Sequence, residues 1–156
     1  MTNQDDYLGT LVGREELALS EAAVADFLER TGYGVLSLAQ GGEAVALPVS
    51  FGYDGDRTLY FQFGWTGDSE KMAAIRKTDR AAVVAYEVTP PSWQSVVVRG
   101  PIGRVPADEQ QRAHETHREN AWVPMNAFET PLEEVEFGLY KLEADEMTGY
   151  GTQEVE

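Results

Sequence analysis

The sequence predicts a small, mostly antiparallel β-barrel with flanking helices, as one domain spanning residues 1–156. After Tyr33 the apolar residues recur at every second position, which is the period of a half-buried strand. Short apolar runs are separated by turns rich in Gly, Asp and Pro, whereas helical spacing is confined to three short segments. The 156 residues suit one ordinary domain, and no repeat or linker-like run divides them.

The first predicted element is an amphipathic helix over residues 19–30. Ser20 can cap its N-terminus with a hydroxyl, and Gly32 can end it in the left-handed conformation. One face carries apolar residues at helical spacing, namely Ala23, Val24, Phe27 and Leu28. We expect this face to cover one side of the barrel.

Three strands are predicted to follow. Residues 34–39 and 44–51 form a hairpin around a Gly-Gly turn, and residues 58–63 form a third strand after an Asp-Gly turn. Pro48 lies inside the second strand, although proline cannot donate a ladder hydrogen bond. It therefore indicates an edge, a bulge or a backbone position left for a ligand.

The second half of the chain is predicted to mix strands with two helices. The predicted elements are a helix at 70–77, a largely buried strand at 81–88, a long strand at 93–105 bent at Gly100-Pro101, a helix at 108–120 and a last strand at 137–143. Residues 1–6 and 148–156 are polar with few large apolar groups. We expect both ends to be flexible, because ordering them would cost more entropy than burial returns.

Charge is the strongest compositional signal, with 27 acids, 12 bases, a net charge of −15 and only three lysines. Such a surface is typical of proteins that work at molar salt, where the Debye length is about 3 Å. We therefore expect a halophilic source, with an acidic mesophilic protein as the alternative. A nucleic-acid partner is not expected, because no basic stripe is present to displace counterions from phosphates.

Other features of the sequence narrow the compartment and the chemistry. The chain has no cysteine, which excludes disulfides, thiolate metal sites and a cysteine nucleophile. It also lacks a run of about 18 apolar residues and a signal-peptide pattern, so we expect a cytoplasmic protein without a membrane partner. Phosphate-loop, dinucleotide and His/Glu metal motifs are absent as well.

Two histidines, His114 and His117, lie three residues apart and therefore on one face of the predicted helix at 108–120. A metal-binding pair is one interpretation. The charged neighbours favour a solvated or interface helix face instead; they are Arg112, Glu115, Arg118 and Glu119.

A candidate phosphate site lies at the start of the helix at 70–77. Ser69 and Lys71 offer a hydroxyl, an ammonium and backbone N–H groups together, which is how a helix N-terminus holds a phosphate. The alternative is a surface ion pair of Lys71 with Asp68 or Glu70.

The run from Phe27 to Arg104 resembles the pyridoxamine 5′-phosphate oxidase-like family of FMN-binding split barrels, especially the branch related to nitroimidazole-resistance proteins. The matching pieces occur in the right order over about half of the chain. They are Phe27-Leu28, Gly34-Val35-Leu36-Ser37, Leu47-Pro48-Val49-Ser50-Phe51-Gly52-Tyr53-Asp54, Leu59-Tyr60-Phe61, Ser69-Glu70-Lys71-Met72 and Ser95-Val96-Val97-Val98-Arg99-Gly100.

The resemblance implies a homodimer that binds FMN at the dimer interface. It places Pro48, Val49 and Ser50 against the isoalloxazine ring and continues that wall with Phe61, Gln62 and Phe63. It assigns the FMN phosphate to Ser69 and Lys71, with Met72 in the same segment, and the ribityl chain or phosphate to Ser95. A flavin needs an apolar slot, a few fixed hydrogen bonds and a cationic end for its phosphate, so these residue types suit it.

Two departures from the family pattern qualify this expectation. Gln62 stands where many nitroimidazole-related members have a histidine, so reduction of that drug class is not expected. Asp68 and Glu70 flank Lys71 where a second basic residue is usual, which would weaken phosphate binding by about 1 kcal/mol in an exposed site. We expect either weaker phosphate binding than is usual in the family or assistance from arginines such as Arg76 or Arg99.

The main hypothesis is a flavin-dependent oxidoreductase in which FMN takes a hydride from NAD(P)H and reduces an unidentified small molecule. No side chain is nominated as a catalytic acid or base. One alternative is a binding or sensing module of the same fold for flavin, haem or deazaflavin. Another is a structural barrel dimer without a ligand.

Overall fold

The computed structural model describes residues 17–120 and 134–152. Its elements in chain order are α1 (Glu21–Thr31), β1 (Tyr33–Gln40), β2 (Glu43–Ser50), β3 (Gly52–Tyr53), β4 (Thr58–Trp65), α2 (Glu70–Lys77), β5 (Arg80–Thr89), β6 (Ser92–Arg104), a 3₁₀ turn (Ala107–Glu109), α3 (Gln110–Asn120), β7 (Glu136–Glu143) and β8 (Glu146–Gly151). No helix of this described part is long and apolar enough to cross a membrane.

The strands form one antiparallel sheet that curls into a barrel, as the sequence predicts. Their order is β2-β1-β5-β6-β7-β4-β3, and β8 pairs with β6 beside this path. β6 joins the two halves, because its first part pairs with β5 and β8 while Ile102 to Arg104 pair with β7. β6 runs through Gly100-Pro101 as one strand, so the predicted bend stays a prediction, but Gly100 has a packing role, because a Cβ there would come within 1.9 Å of the Glu143 carbonyl oxygen.

The barrel is split between β2 and β4. These strands lie next to each other, yet β2 pairs only with β1, while β4 pairs with β3 and β7. Because ladder bonds between β2 and β4 are not among those of the described residues, both strands present backbone edges at this seam.

Helix α1 closes one side of the core as predicted. The Ala23 backbone N–H donates to the Ser20 hydroxyl at 3.1 Å, and Gly32 ends the helix at φ 67°. Phe27 and Leu28 are fully buried. The core that they join is filled from nearly every strand, by residues such as Leu36, Phe51, Leu59, Phe61, Val83, Val96, Val98 and Leu142.

Two sequence-based expectations are corrected. Strand β5 is not largely buried, because Tyr86 to Thr89 are exposed where its hairpin with β6 extends past the last residue paired with β1, Val84. The predicted flexible end, 148–156, includes Thr148 to Gly151 of β8. Gly149 lets this strand pack tightly, since a Cβ there would lie 2.8 Å from Val24. Residues 1–6 and 153–156 lie outside the described residues.

Candidate functional site

Strand β4 turns alternate side chains to opposite faces. Phe61 is fully buried and Phe63 is 6% exposed, and both belong to the barrel core. Gln62 lies between them on the outer face and is exposed. The strand therefore offers Gln62, and not the two phenyl rings, to a ligand outside the barrel.

Strand β2 carries its predicted site residues to the same seam. Val49 packs half-buried against the core, whereas Pro48 is exposed and Ser50 half-buried on the outer side. Strands β2 and β4 lie next to each other without pairing. The outward residues of β2, Pro48 and Ser50, and the outward Gln62 of β4 therefore border the same seam.

The predicted phosphate segment lies at the end of β4. Ser69 caps helix α2, and its hydroxyl accepts the Met72 backbone N–H at 3.3 Å. Lys71 Nζ donates to the carbonyl oxygen of Gly64 at 3.4 Å and lies 5.9 Å from the centre of the Phe63 ring. Lys71 thus reaches the end of β4, two residues after Gln62. An ion pair with Asp68 or Glu70 is not among those formed by the described residues.

Met72 and the two phenylalanines have a different place from the one the resemblance suggests. Met72 and Phe61 have no exposed surface, and Phe63 has almost none. Their side chains hold α2 and β4 onto the core and present nothing to a ligand on the outer face. The sequence alone does not distinguish hydrophobic residues that are buried beneath a binding site from those that contact the ligand.

Ser95 is not brought to the other predicted residues within one chain. It lies on β6, opposite Tyr86 of β5 and Tyr150 of β8. Two strands, β1 and β5, separate β6 from β2, which corresponds to about 14 Å at the usual strand spacing. Ser95 shares only the outer face of the sheet with Ser50.

That outer face is almost without charge. We use the term outer sheet face for the outward residues of β2, β1, β5, β6 and β8, assigned by alternation with the buried positions. Its uncharged members are Tyr33, Val35, Ser37, Ala39, Ala44, Ala46, Pro48, Ser50, Ala82, Val84, Tyr86, Val88, Trp93, Ser95, Val97, Thr148 and Tyr150. Among these described strands, charged outward residues cluster at one corner, at Arg80, Arg99 and Glu146.

The exposed apolar groups on this face are large. Tyr33 is 53% exposed, Tyr86 61% and Val88 63%. A chain with a net charge of −15 that leaves such a face uncharged has the pattern of an interaction surface.

Helix α3 forms a wall on the other side of β4. It presses directly onto β3, because a Cβ on Gly52 would come within 2.4 Å of the Thr116 carbonyl oxygen and 2.5 Å of the His117 Cα. His114 is exposed, as predicted, but His117 is only 3% exposed. Burial lowers the pKa of His117, with a smaller contribution from His114. The predicted solvated or interface face is therefore wrong for His117, which is buried where α3 packs closely against β3.

Between α3 and the outer side of β4 and β7 lies a cleft of about 190 Å³. Among the described residues, its lining consists of Gln62, Arg104, Gln110, His114, Phe137, Gly138 and Leu139. Gln62 belongs both to this cleft and to the seam between β2 and β4, so the cleft opens beside the predicted cofactor residues.

A polar network that the sequence did not reveal fixes the α3 wall. The Tyr60 hydroxyl donates to Glu109 at 2.8 Å, and Lys141 Nζ donates to Glu109 at 2.8 Å and to Glu143 at 2.7 Å. Burial and the bond to Glu109 raise the pKa of Tyr60 to about 12. The bonds from Lys141 and Tyr60 lower the pKa of Glu109. These residues are far apart in sequence, and only the β4–β7 register unites them.

The family comparison matches most of the chain. A sequence profile described as pyridoxamine 5′-phosphate oxidase matches residues 20–150. A search of curated protein sequences found no significant match.

Solved structures share the fold at low identity. An FAD-binding protein from Mycobacterium smegmatis superposes with a TM-score of 0.68 at 16% identity, covering 88% of this chain and 99% of that one. An FAD-binding protein from Mesorhizobium loti gives 0.66 at 22% identity, covering 88% and 96%. A proposed 5-nitroimidazole antibiotic resistance protein from Bacteroides thetaiotaomicron gives 0.62 at 16% identity, covering 86% and 87%.

Proposed function

The chain belongs to the pyridoxamine 5′-phosphate oxidase family, and from this we propose that it binds FMN and acts as a flavin-dependent oxidoreductase on a small molecule. The observation that carries the proposal is that Lys71, at the start of α2, bonds to Gly64 at the end of β4, next to the seam that Gln62 and Ser50 border. FAD-binding proteins of the same fold support a flavin as the ligand.

The phosphate end of FMN fits the start of α2. Lys71 Nζ gives one hydrogen bond to Gly64 and keeps further N–H groups for a phosphate oxygen. The first turn of α2 leaves backbone N–H groups without a partner inside the helix, and the helix dipole favours a negative charge there. The Ser69 hydroxyl orders this turn by capping it.

The ring end of FMN fits the split between β2 and β4. Pro48 and Gly64 add no bulky polar group to the outer surface, while Ser50 and Gln62 can hydrogen-bond the pyrimidine edge of a flavin. Val49 supports this surface from the core side. Bound here, FMN would supply hydride and electron transfer between a nicotinamide donor and a small acceptor, while the chain positions the ring and excludes water.

We propose a homodimer formed through the outer sheet face. Five strands about 4.8 Å apart and eight residues long give a face of about 24 by 26 Å, or about 600 Å². A specific interface needs at least about 600 Å² from each partner, so this face suffices. Pro48 and Ser50 lie at its β2 edge, which puts the flavin slot at the seam. Ser95, about 14 Å from Ser50 within one chain, would then serve the slot of the partner subunit.

A non-catalytic flavin, haem or deazaflavin module is the second candidate. It is favoured by the chemistry of the seam, where Ser50, Gln62 and Ser69 can bind but do not exchange protons near neutral pH. Exposure of the FMN-loaded protein to NADH and NADPH without oxygen separates the two candidates. Bleaching of the flavin band supports the oxidoreductase, and an unchanged band supports the module.

The proposal is tested by mixing purified protein with FMN at 2 M NaCl and removing free flavin by gel filtration. We expect a yellow protein with about one FMN per chain. A colourless protein after this treatment would contradict FMN binding.

A further inference from the structure

The excess of negative charge is distributed unevenly over the molecule. The chain has 12 basic residues. Among the described residues, those that form ion pairs with carboxylates are Arg30, Arg80, Arg112 and Lys141. The outer sheet face has almost no charge, so the carboxylates of the described residues, apart from Glu146, lie on the helices, the turns and other strand positions. Glu21 of α1 and Glu115 and Glu119 of α3 are exposed examples.

In a dimer, this distribution sets a short-range apolar attraction against a long-range charge repulsion. Apolar contact across the outer sheet face acts only at close range, and it gains slightly from salt. Repulsion between two subunits of charge −15 acts over the Debye length, which is about 30 Å at 0.01 M salt and about 3 Å at 1 M. The first length exceeds the width of the sheet face, about 24 Å, and the second is far smaller. Repulsion therefore spans the interface at low salt and nearly vanishes at high salt.

The proposed phosphate site is subject to the same opposition. Asp68 and Glu70 flank Lys71, and the whole subunit repels a phosphate dianion. In a predominantly cationic site, salt screens an attraction and weakens phosphate binding. Here one local ammonium works against a negative field, so salt removes more repulsion than attraction.

We propose that ionic strength controls both assembly of the dimer and loading of its flavin sites, with the protein monomeric and empty at low salt and dimeric and loaded near molar salt. This inference rests on the proposed flavin-binding dimer. Its distinctive consequence is the sign of the salt effect: FMN binding becomes tighter as salt rises, opposite to ordinary screening of a cationic phosphate site.

The test follows the dimer by sedimentation and FMN affinity by flavin fluorescence quenching between 0.05 and 2 M NaCl. Far-UV circular dichroism limits the comparison to salt concentrations at which the chain is folded. From 0.1 to 1 M we expect the dimer dissociation constant to fall about a hundredfold or more and the FMN dissociation constant about tenfold or more. Affinities that stay constant, or weaken with salt, would overturn the inference.

A charge-neutralised variant isolates the cause. Glu21→Gln, Glu115→Gln and Glu119→Gln together remove three charges from exposed positions of α1 and α3 that lie outside the outer sheet face and carry none of the proposed flavin contacts. This variant should dimerise and load FMN at lower salt than the wild type. The matched Glu→Asp variant at the same positions keeps the charge and should follow the wild type. Equal salt midpoints for all three proteins would refute charge repulsion as the cause.

Failure of the inference differs from failure of the proposed function. A dimer that carries FMN equally at every salt concentration overturns only the salt control. A folded monomer that stays colourless at every salt concentration overturns the proposed function itself.

Discussion

Replacing Lys71 with methionine removes the only lysine at the proposed phosphate site while keeping the length of the side chain. A hydrogen bond between charged partners contributes about 1.5–3 kcal/mol, and the neighbouring Asp68 and Glu70 reduce this by about 1 kcal/mol. A net loss of about 0.5–2 kcal/mol weakens FMN binding by about two- to thirtyfold. Loss of the bond to Gly64 has little effect on stability, because that bond is long and partly exposed.

The control for this change is Lys77→Met in the last turn of the same helix. Lys77 is exposed, and its loss removes the same charge from α2. FMN affinities of both variants are measured by fluorescence quenching at 2 M NaCl, with thermal unfolding of the apo proteins recorded in parallel. Equal FMN affinity in Lys71→Met and wild type would refute the assignment of the phosphate to Lys71. Equal weakening in both variants would show a general charge effect instead.

Three further changes test other parts of the structure. Gly52→Ala should lower the free energy of unfolding by about 1–3 kcal/mol in urea denaturation, because the added methyl would overlap the backbone of α3 at His117; stability equal to wild type would refute this tight docking. Lowering the pH from 7 to 5 should reduce the free energy of unfolding, because the pKa of His117 in the folded chain is lower than its unfolded value of about 6.5. The stability that the neutral imidazole contributes is complete above the unfolded pKa and is lost as the pH falls through the pKa of the folded chain. This pH dependence should be lost in His117→Leu and kept in His114→Gln, and its persistence in His117→Leu would exclude that residue as the cause. Val84→Asp puts a charge in the middle of the outer sheet face and should give a folded monomer in sedimentation at 2 M NaCl. The control, Asp26→Asn on α1, should leave the dimer intact. A dimer in Val84→Asp would place the interface elsewhere.

Local signals in the sequence were enough to predict most elements. The cap at Ser20, the left-handed Gly32 and the Gly41-Gly42 turn act within a few residues, and each lies where expected. A special position at Gly100 was also predictable from its glycine, because the backbone of Glu143 approaches it too closely for a Cβ. Strand β8 was missed because glycines supply its close packing, and they add no apolar side chain to the pattern.

The candidate site was predictable as a set of segments but not as a surface. The positions of Lys71 and Ser69 at the start of α2 follow from local sequence. Which side of β4 faces a ligand depends on which side is buried in the core. Phe61 and Phe63 are buried there, whereas Gln62 lies on the exposed side. The Tyr60–Glu109–Lys141 network depends on the long-range pairing of β4 with β7, which no local pattern encodes.

The central claim is that one flavin lies across the seam between β2 and β4 with its phosphate on Lys71. A crystal structure of the protein loaded with FMN at high salt measures this directly. We predict a phosphate oxygen within about 3 Å of Lys71 Nζ and the isoalloxazine against Pro48, Ser50 and Gln62 of the same subunit. A flavin bound elsewhere, with Lys71 still bonded only to Gly64, would contradict the account.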